Sequence, residues 1–290
     1  MYRSSCYAHA GFSADGAEYM GEGALAVNGV RVAEVELIYP LRLSSEGFAD
    51  SLRSLWRRLL ATPILNNTEQ KQDLLEEFCT TLCMGHFRHN RIPKILGQLE
   101  FETGVRVLKR LLFDKDEKAI SSEDLVLEED SREHPEKQVE AKIINSCRDR
   151  SIIVTKSGDM ALAPEASQIG DEIFVLLGCR TTMLLRKTKQ DSHRIVGATY
   201  LSKVNHGEAL LGKLPLHVRC VMVYHPSLKA HYPGFQDTQT EKIEYFDPRL
   251  RDLPVDTSQY ENRVPGGLDM GVDARTLMMA GIAIRRIRLV

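Results

Sequence analysis

His206 and Glu208 stand two residues apart in Val204-Asn-His-Gly-Glu208. In an extended chain such residues point to one side, so an imidazole and a carboxylate there could act together as general acid and base. If Gly207 makes a turn instead, Glu208 pairs with a base or caps the backbone. A second group of proton-transferring and carboxylate-holding side chains lies further on: Tyr224, His225, His231, Tyr232, Asp247 and Arg249. Asp247-Pro-Arg249 also reads as a turn with a surface salt bridge, which contributes little. The acid–base candidates are thus His206, Glu208, His225 and Asp247. The candidate ligand-binding residues are Arg186, Tyr200, Tyr224, His231 and Arg249. Arg186 has two readings, a bidentate contact to a ligand carboxylate or an internal ion pair that holds one end of a barrel.

Cys79, Cys83, His86 and His89 form Cys-x3-Cys-x2-His-x2-His, a ligand set zinc accepts. Both cysteines also continue an apolar stripe with Leu75 and Leu82, where a free thiol acts as a small hydrophobe. Core is the better account, and no metal is expected. Gly170-Asp171 and Gly178 are turn residues rather than a phosphate cradle, because a strand and not a helix follows them. No Gly-x-Ser-x-Gly, phosphate loop, dinucleotide fingerprint or two-histidine metal helix occurs. Those absences count against the common hydrolases, NTPases and nicotinamide enzymes, and no cofactor is expected.

The elements that must position these residues change character along the chain. Ala24–Val27 and Val30–Val35 flank Asn28-Gly29, a hairpin signal. Leu52, Leu55, Trp56, Leu59 and Leu60 then fall on one helical stripe. A second helix covers about Glu69 to Met84, and a third follows Pro93, with Gly104 as a point where it breaks. Residues 114–140 carry eleven acidic side chains against four Lys or Arg and no aromatic. Too little apolar surface is present there to offset ordering entropy, so a flexible loop is expected. A short helix with Val139, Ile143 and Cys147 leads into short strands at Ile152–Val154, Met160–Leu162, Ile173–Leu177, Thr182–Leu185 and Arg194–Leu201. Tight turns between them predict a small antiparallel barrel or curled sheet. His217–Tyr224 and Lys242–Phe246 read as two further strands with a loop between, and a helix, Gly281 and a strand close the chain.

The fold class is therefore α+β, an N-terminal hairpin and helical layer packed on a C-terminal antiparallel barrel-like sheet. The parts are 1–113, 114–140 and 141–290, either separate or one integrated domain. A net charge of −2 gives no electrostatic reason to expect nucleic acid. No apolar run approaches the ~20 residues of a membrane-spanning helix, so no membrane is expected. Six cysteines without regular spacing point to reduced thiols in the cytoplasm.

One stretch resembles a known family. Gly170, Asp171, Val175, Leu177, Gly178, Leu185, Arg186, Val196, Gly197, Tyr200, Gly207 and Glu208 follow the phrasing of the region after the HET domain in fungal heterokaryon-incompatibility proteins. Arg150–Gly158 with Leu162 and Pro164 resembles the strand and glycine turn that lead into it. The phrases of the HET domain itself are absent, Trp56 being the single tryptophan. The resemblance implies a stand-alone fungal module with a recognition or regulatory role, binding a protein or a small ligand. The alternative is a cofactor-independent lyase, isomerase or cyclase acting on a small organic substrate in fungal specialised metabolism. An apolar cavity lined by the acid–base candidates would discriminate the two.

Overall fold

A computed structural model describes residues 17–66, 71–85, 101–113, 135–204, 207–225, 230–244, 247–253 and 274–290. Its centre is a closed, six-stranded antiparallel barrel. The strands are β2 (Ala24–Pro40), β3 (Arg150–Thr155), β4 (Met160–Pro164), β5 (Glu172–Leu176), β6 (Thr182–Lys187) and β7 (His193–Leu201). Pairing runs β2–β3–β4–β7–β6–β5 and returns to β2. The short strands lie where the apolar runs and the turn residues between them predicted.

The first hairpin is not where Asn-Gly placed it. β2 runs without a turn through Asn28-Gly29. The turn falls earlier, at Gly21-Glu22-Gly23, all at positive φ, and joins β2 to β1 (Glu18–Gly21). Gly29 answers a different need: a Cβ there would lie 2.6 Å from the Val175 carbonyl oxygen and 2.9 Å from Leu176 Cδ2. Glycine permits the barrel to close at this seam. Register shifts at Arg31/Ala33 against β5 and at Val35/Leu37 against β3 bend the long strand around the barrel.

Val35, Ile153, Ala161, Ala163, Ile173, Leu184 and Leu201 from all six strands meet inside the barrel. On the neighbouring positions of the same strands, Ile152, Val154, Met160, Leu162 and Tyr200 face outward into a helical layer. That layer comprises α1 (Phe48–Leu60), α2 (Pro63–Asn66), α3 (Lys71–Leu82), α4 (Phe101–Phe113) and α5 (Pro135–Cys147). Leu52, Leu55, Trp56 and Leu59 of α1 and Leu74, Leu75, Phe78, Cys79 and Leu82 of α3 are buried, as the helical period requires. Trp56 meets Phe78 with ring centroids 5.0 Å apart. Gly104 is buried inside α4 and does not break it. α5 begins at Pro135, within the stretch expected to be loop, because proline suits a first helical turn; residues 114–134 lie outside the described residues.

β8 (Val218–His225), β9 (Ala230–Asp237) and β10 (Ile243–Glu244) form a separate three-stranded sheet. The expected loop after His225 is therefore largely strand. Pro233 obscured it, yet β10 pairs only with Phe235 and Gln236 among the described residues, so Pro233 sits where β9 is an edge. The chain closes with α6 (Glu208–Leu211), α7 (Ala274–Met279) and β11 (Arg285–Leu289), which pairs with β2 and touches β7.

Candidate functional site

The barrel is solid rather than hollow, and one end is plugged. Leu210 of α6, Leu250, Ala274 and Leu277 of α7, and Ile284 pack on Val175 and Leu177. The plug carries two of the acid–base candidates on its polar side. Gly207, in the left-handed conformation at φ 83°, turns the chain into α6 so that Glu208 is its first residue. Glu208 is half-buried there, in a turn rather than an extended strand. Asp247 caps the following 3₁₀ turn, Pro248–Asp252, accepting the Arg249 backbone N–H at 3.0 Å.

Asp247 and Arg249 form a buried ion pair. Nε of Arg249 donates to Asp247 Oδ1 at 2.9 Å and Nη2 to Oδ2 at 2.6 Å. Nη1 donates to the Gly212 carbonyl at 2.6 Å, tying the turn to the end of α6. The surface salt bridge expected from Asp-Pro-Arg is thus an interior one. Cys220 of β8 lies within electrostatic reach of this group. Burial pushes its thiol up to about 12, with Asp247 and then Glu208 adding to the rise and Arg249 opposing it. Asp247 and Arg249 are the polar pair that the structure assembles, with Glu208 and Cys220 within electrostatic reach.

The other predicted residues fall elsewhere. Tyr200 is buried in the helix–barrel core, its hydroxyl 2.3 Å from where a Cβ on Gly85 would stand. Arg186 grips Asp171 through Nε at 2.8 Å and Nη2 at 2.9 Å, and Nη2 also reaches the Ala166 carbonyl at 2.8 Å. Asp171 also accepts the Gln168 N–H at 2.7 Å. Of the two readings of Arg186, the internal ion pair describes these contacts. Tyr224 and His231 are cross-strand partners near the end of the β8–β9 hairpin, beside the His225–Ala230 pair. His206 lies outside the described residues, as do His86 and His89. Cys79 and Cys83 are both fully buried in the helical core, and no metal-binding group of three is found among the described residues.

Two polar groups were not singled out from the sequence. Glu172 accepts from His193 Nε2 at 3.1 Å and pairs with Arg31 Nε at 2.5 Å, while Arg31 and Lys156 both hold Glu34. Lys156 is the leading cause that keeps the Glu34 carboxyl below its usual range. Glu77 of α3 accepts the Met160 N–H at 2.9 Å, and burial pushes its carboxyl upward. Strand pairing brings Arg31, Glu172 and His193 together, and the packing of α3 on the barrel brings Glu77 to Met160; no local spacing signals these long-range contacts.

A shallow groove of about 210 Å³ lies between Leu41–Leu43, after β2, and Ile144–Asp149, at the end of α5. None of the predicted site residues lines it. No family model, no curated protein and no solved structure matches the chain.

Proposed function

We propose that this chain is a stand-alone recognition or regulatory module, similar to the region after the HET domain of fungal incompatibility proteins, that binds a protein or small ligand in the cytoplasm. The observation carrying this reading is the Asp247–Arg249 pair. A carboxylate held by two charge-assisted hydrogen bonds and 1% exposed is a structural tie, with both oxygens already engaged and turned away from any ligand. A barrel filled by its own side chains also offers no room for a substrate. The half-buried Glu208, which opens α6, is the candidate left for contact with a partner or ligand.

The second reading is a cofactor-independent lyase, isomerase or cyclase of fungal specialised metabolism. It draws on one observation, that Glu208 and Asp247 both act on the Cys220 thiol and so share one locality.

Native mass spectrometry of the chain isolated from its source tests both. A partner or ligand retained by the wild type and lost by Glu208→Ala, with an unchanged melting temperature, supports recognition. Conversion of a copurified small molecule by the wild type, abolished in His206→Ala and Glu208→Ala, would transfer the assignment to the enzyme.

A further inference from the structure

The groove beside α5 carries chemistry of its own. Leu41, Leu43 and Ile144 form the apolar half of its lining, and the polar half includes Arg42 and Arg148. Both arginines are exposed. Arg148 reaches only the neutral side chain of Asn145, at 3.4 Å, and neither guanidinium has a carboxylate partner among the described residues. Asp149 also lines the groove, so one carboxylate stands against two guanidinium groups and the rim stays positive. The Cys147 thiol at the base donates to the Leu82 carbonyl at 3.6 Å, so it is turned into the core and offers no nucleophile.

Size narrows the occupant. Sites for drug-sized molecules and cofactors run from roughly 300 to 1,000 Å³, and about 210 Å³ falls below that range. It suits one large aliphatic side chain, the kind of anchor that a protein partner inserts at an interface. Charge supplies the remainder, because a guanidinium pairs with a carboxylate in two parallel hydrogen bonds.

We propose that this groove docks an acidic segment of a partner protein, one aliphatic residue seated between Leu41, Leu43 and Ile144 and its flanking carboxylates on Arg42 and Arg148. The surface is separate from Glu208, so its failure leaves the function proposed above untouched.

The test is fluorescence anisotropy with the full chain and a labelled synthetic peptide, a central leucine flanked on each side by two glutamates. Binding to the wild type is expected, weakened by about tenfold or more in the R42E/R148E double variant and by added salt. Ile144→Arg, which fills the groove and keeps both arginines, is expected to abolish binding. Arg42 and Arg148 are exposed and Ile144 is partly buried at the edge of the helical core, and unchanged melting temperatures confirm that both variants fold. Equal binding by wild type and R42E/R148E, or equal binding of a lysine-flanked peptide, would overturn the proposal. So would a crosslink showing the groove filled by this chain's own acidic residues 114–134.

Discussion

Arg249 closes on Asp247 through two parallel hydrogen bonds, 2.9 and 2.6 Å long, with the two residues 5% and 1% exposed. The pair lies two residues apart in sequence, on either side of Pro248. The proline fixes the first turn of the 3₁₀ segment and leaves the Arg249 N–H to cap on the same carboxylate. One aspartate thus satisfies a backbone donor and a guanidinium together. The third bond, to Gly212, makes the arrangement a clasp between the turn and α6.

Removing one partner strands the other charge out of water. Asp247→Ala and Arg249→Met are each expected to destabilise the fold by about 3–5 kcal/mol. The double variant is expected to lose less than the sum, because no buried charge remains. Urea unfolding midpoints of the four species measure this. Additive losses would show that the two side chains act independently.

Gly29 is expected to resist substitution more than a turn glycine would. A methyl group at 2.6 Å from a backbone oxygen must push β2 from β5, and overpacking of this kind costs about 1–3 kcal/mol. Gly29→Ala should therefore lower the unfolding midpoint clearly. Gly281→Ala, at a positive-φ turn with nothing within 4 Å, provides the comparison for backbone strain alone. If Gly29→Ala is the milder change, the close approach at the seam is not what selects glycine.

The barrel strands were legible because short apolar runs and tight turns are local signals. Ile152–Val154 and Met160–Leu162 each carry one face into the barrel and one into the helices. Asn28-Gly29 misled for the same reason: the dipeptide reports what the backbone can do, and the partner that needs a glycine, Val175, is distant in sequence. β9 was hidden by Pro233, whose cost depends on whether a third strand reaches it. At the candidate site, Asp247 and Arg249 were visible as residue types, but their burial depends on α6 and β8 packing over them. Cys220 gave no signal, since its surroundings come from three separate segments.

Raised thiols predict an alkaline limit to stability. Burial raises the thiols of Cys147 and Cys220, the latter to about 12, and raises Cys79 further through its bond with Cys83. Their ordinary value is 9.0. A group whose folded pKa lies above its unfolded one contributes stability below the unfolded value and loses it as pH rises through the folded one. Denaturant midpoints are thus expected to fall progressively above about pH 9, with a shallower fall in Cys220→Ala. Thiol labelling of the buried Cys79 and Cys147 at pH 8 should be slow until denaturant is added. Fast labelling of Cys147 in the native protein would contradict its placement.

Glu77 predicts the opposite behaviour to an ordinary surface carboxylate. Its Oε1 accepts the Met160 N–H at 2.9 Å, so α3 is tied to the first residue of β4. Burial is the largest influence and raises its pKa, against the hydrogen bond and Lys203, which lower it. With the folded pKa above the unfolded value, the contribution is fully present below the unfolded pKa and is lost as pH rises through the folded one. Glu77→Gln keeps an oxygen for Met160 and removes the titration. It should therefore match the wild type near pH 4 and gain on it toward pH 7. Glu77→Ala leaves the Met160 N–H without its acceptor, and should lie about 1–3 kcal/mol below Glu77→Gln throughout. Urea unfolding of the three proteins from pH 4 to 7 decides the matter. If Gln and Ala variants behave alike across that range, the hydrogen bond from Met160 does not hold α3 to the barrel.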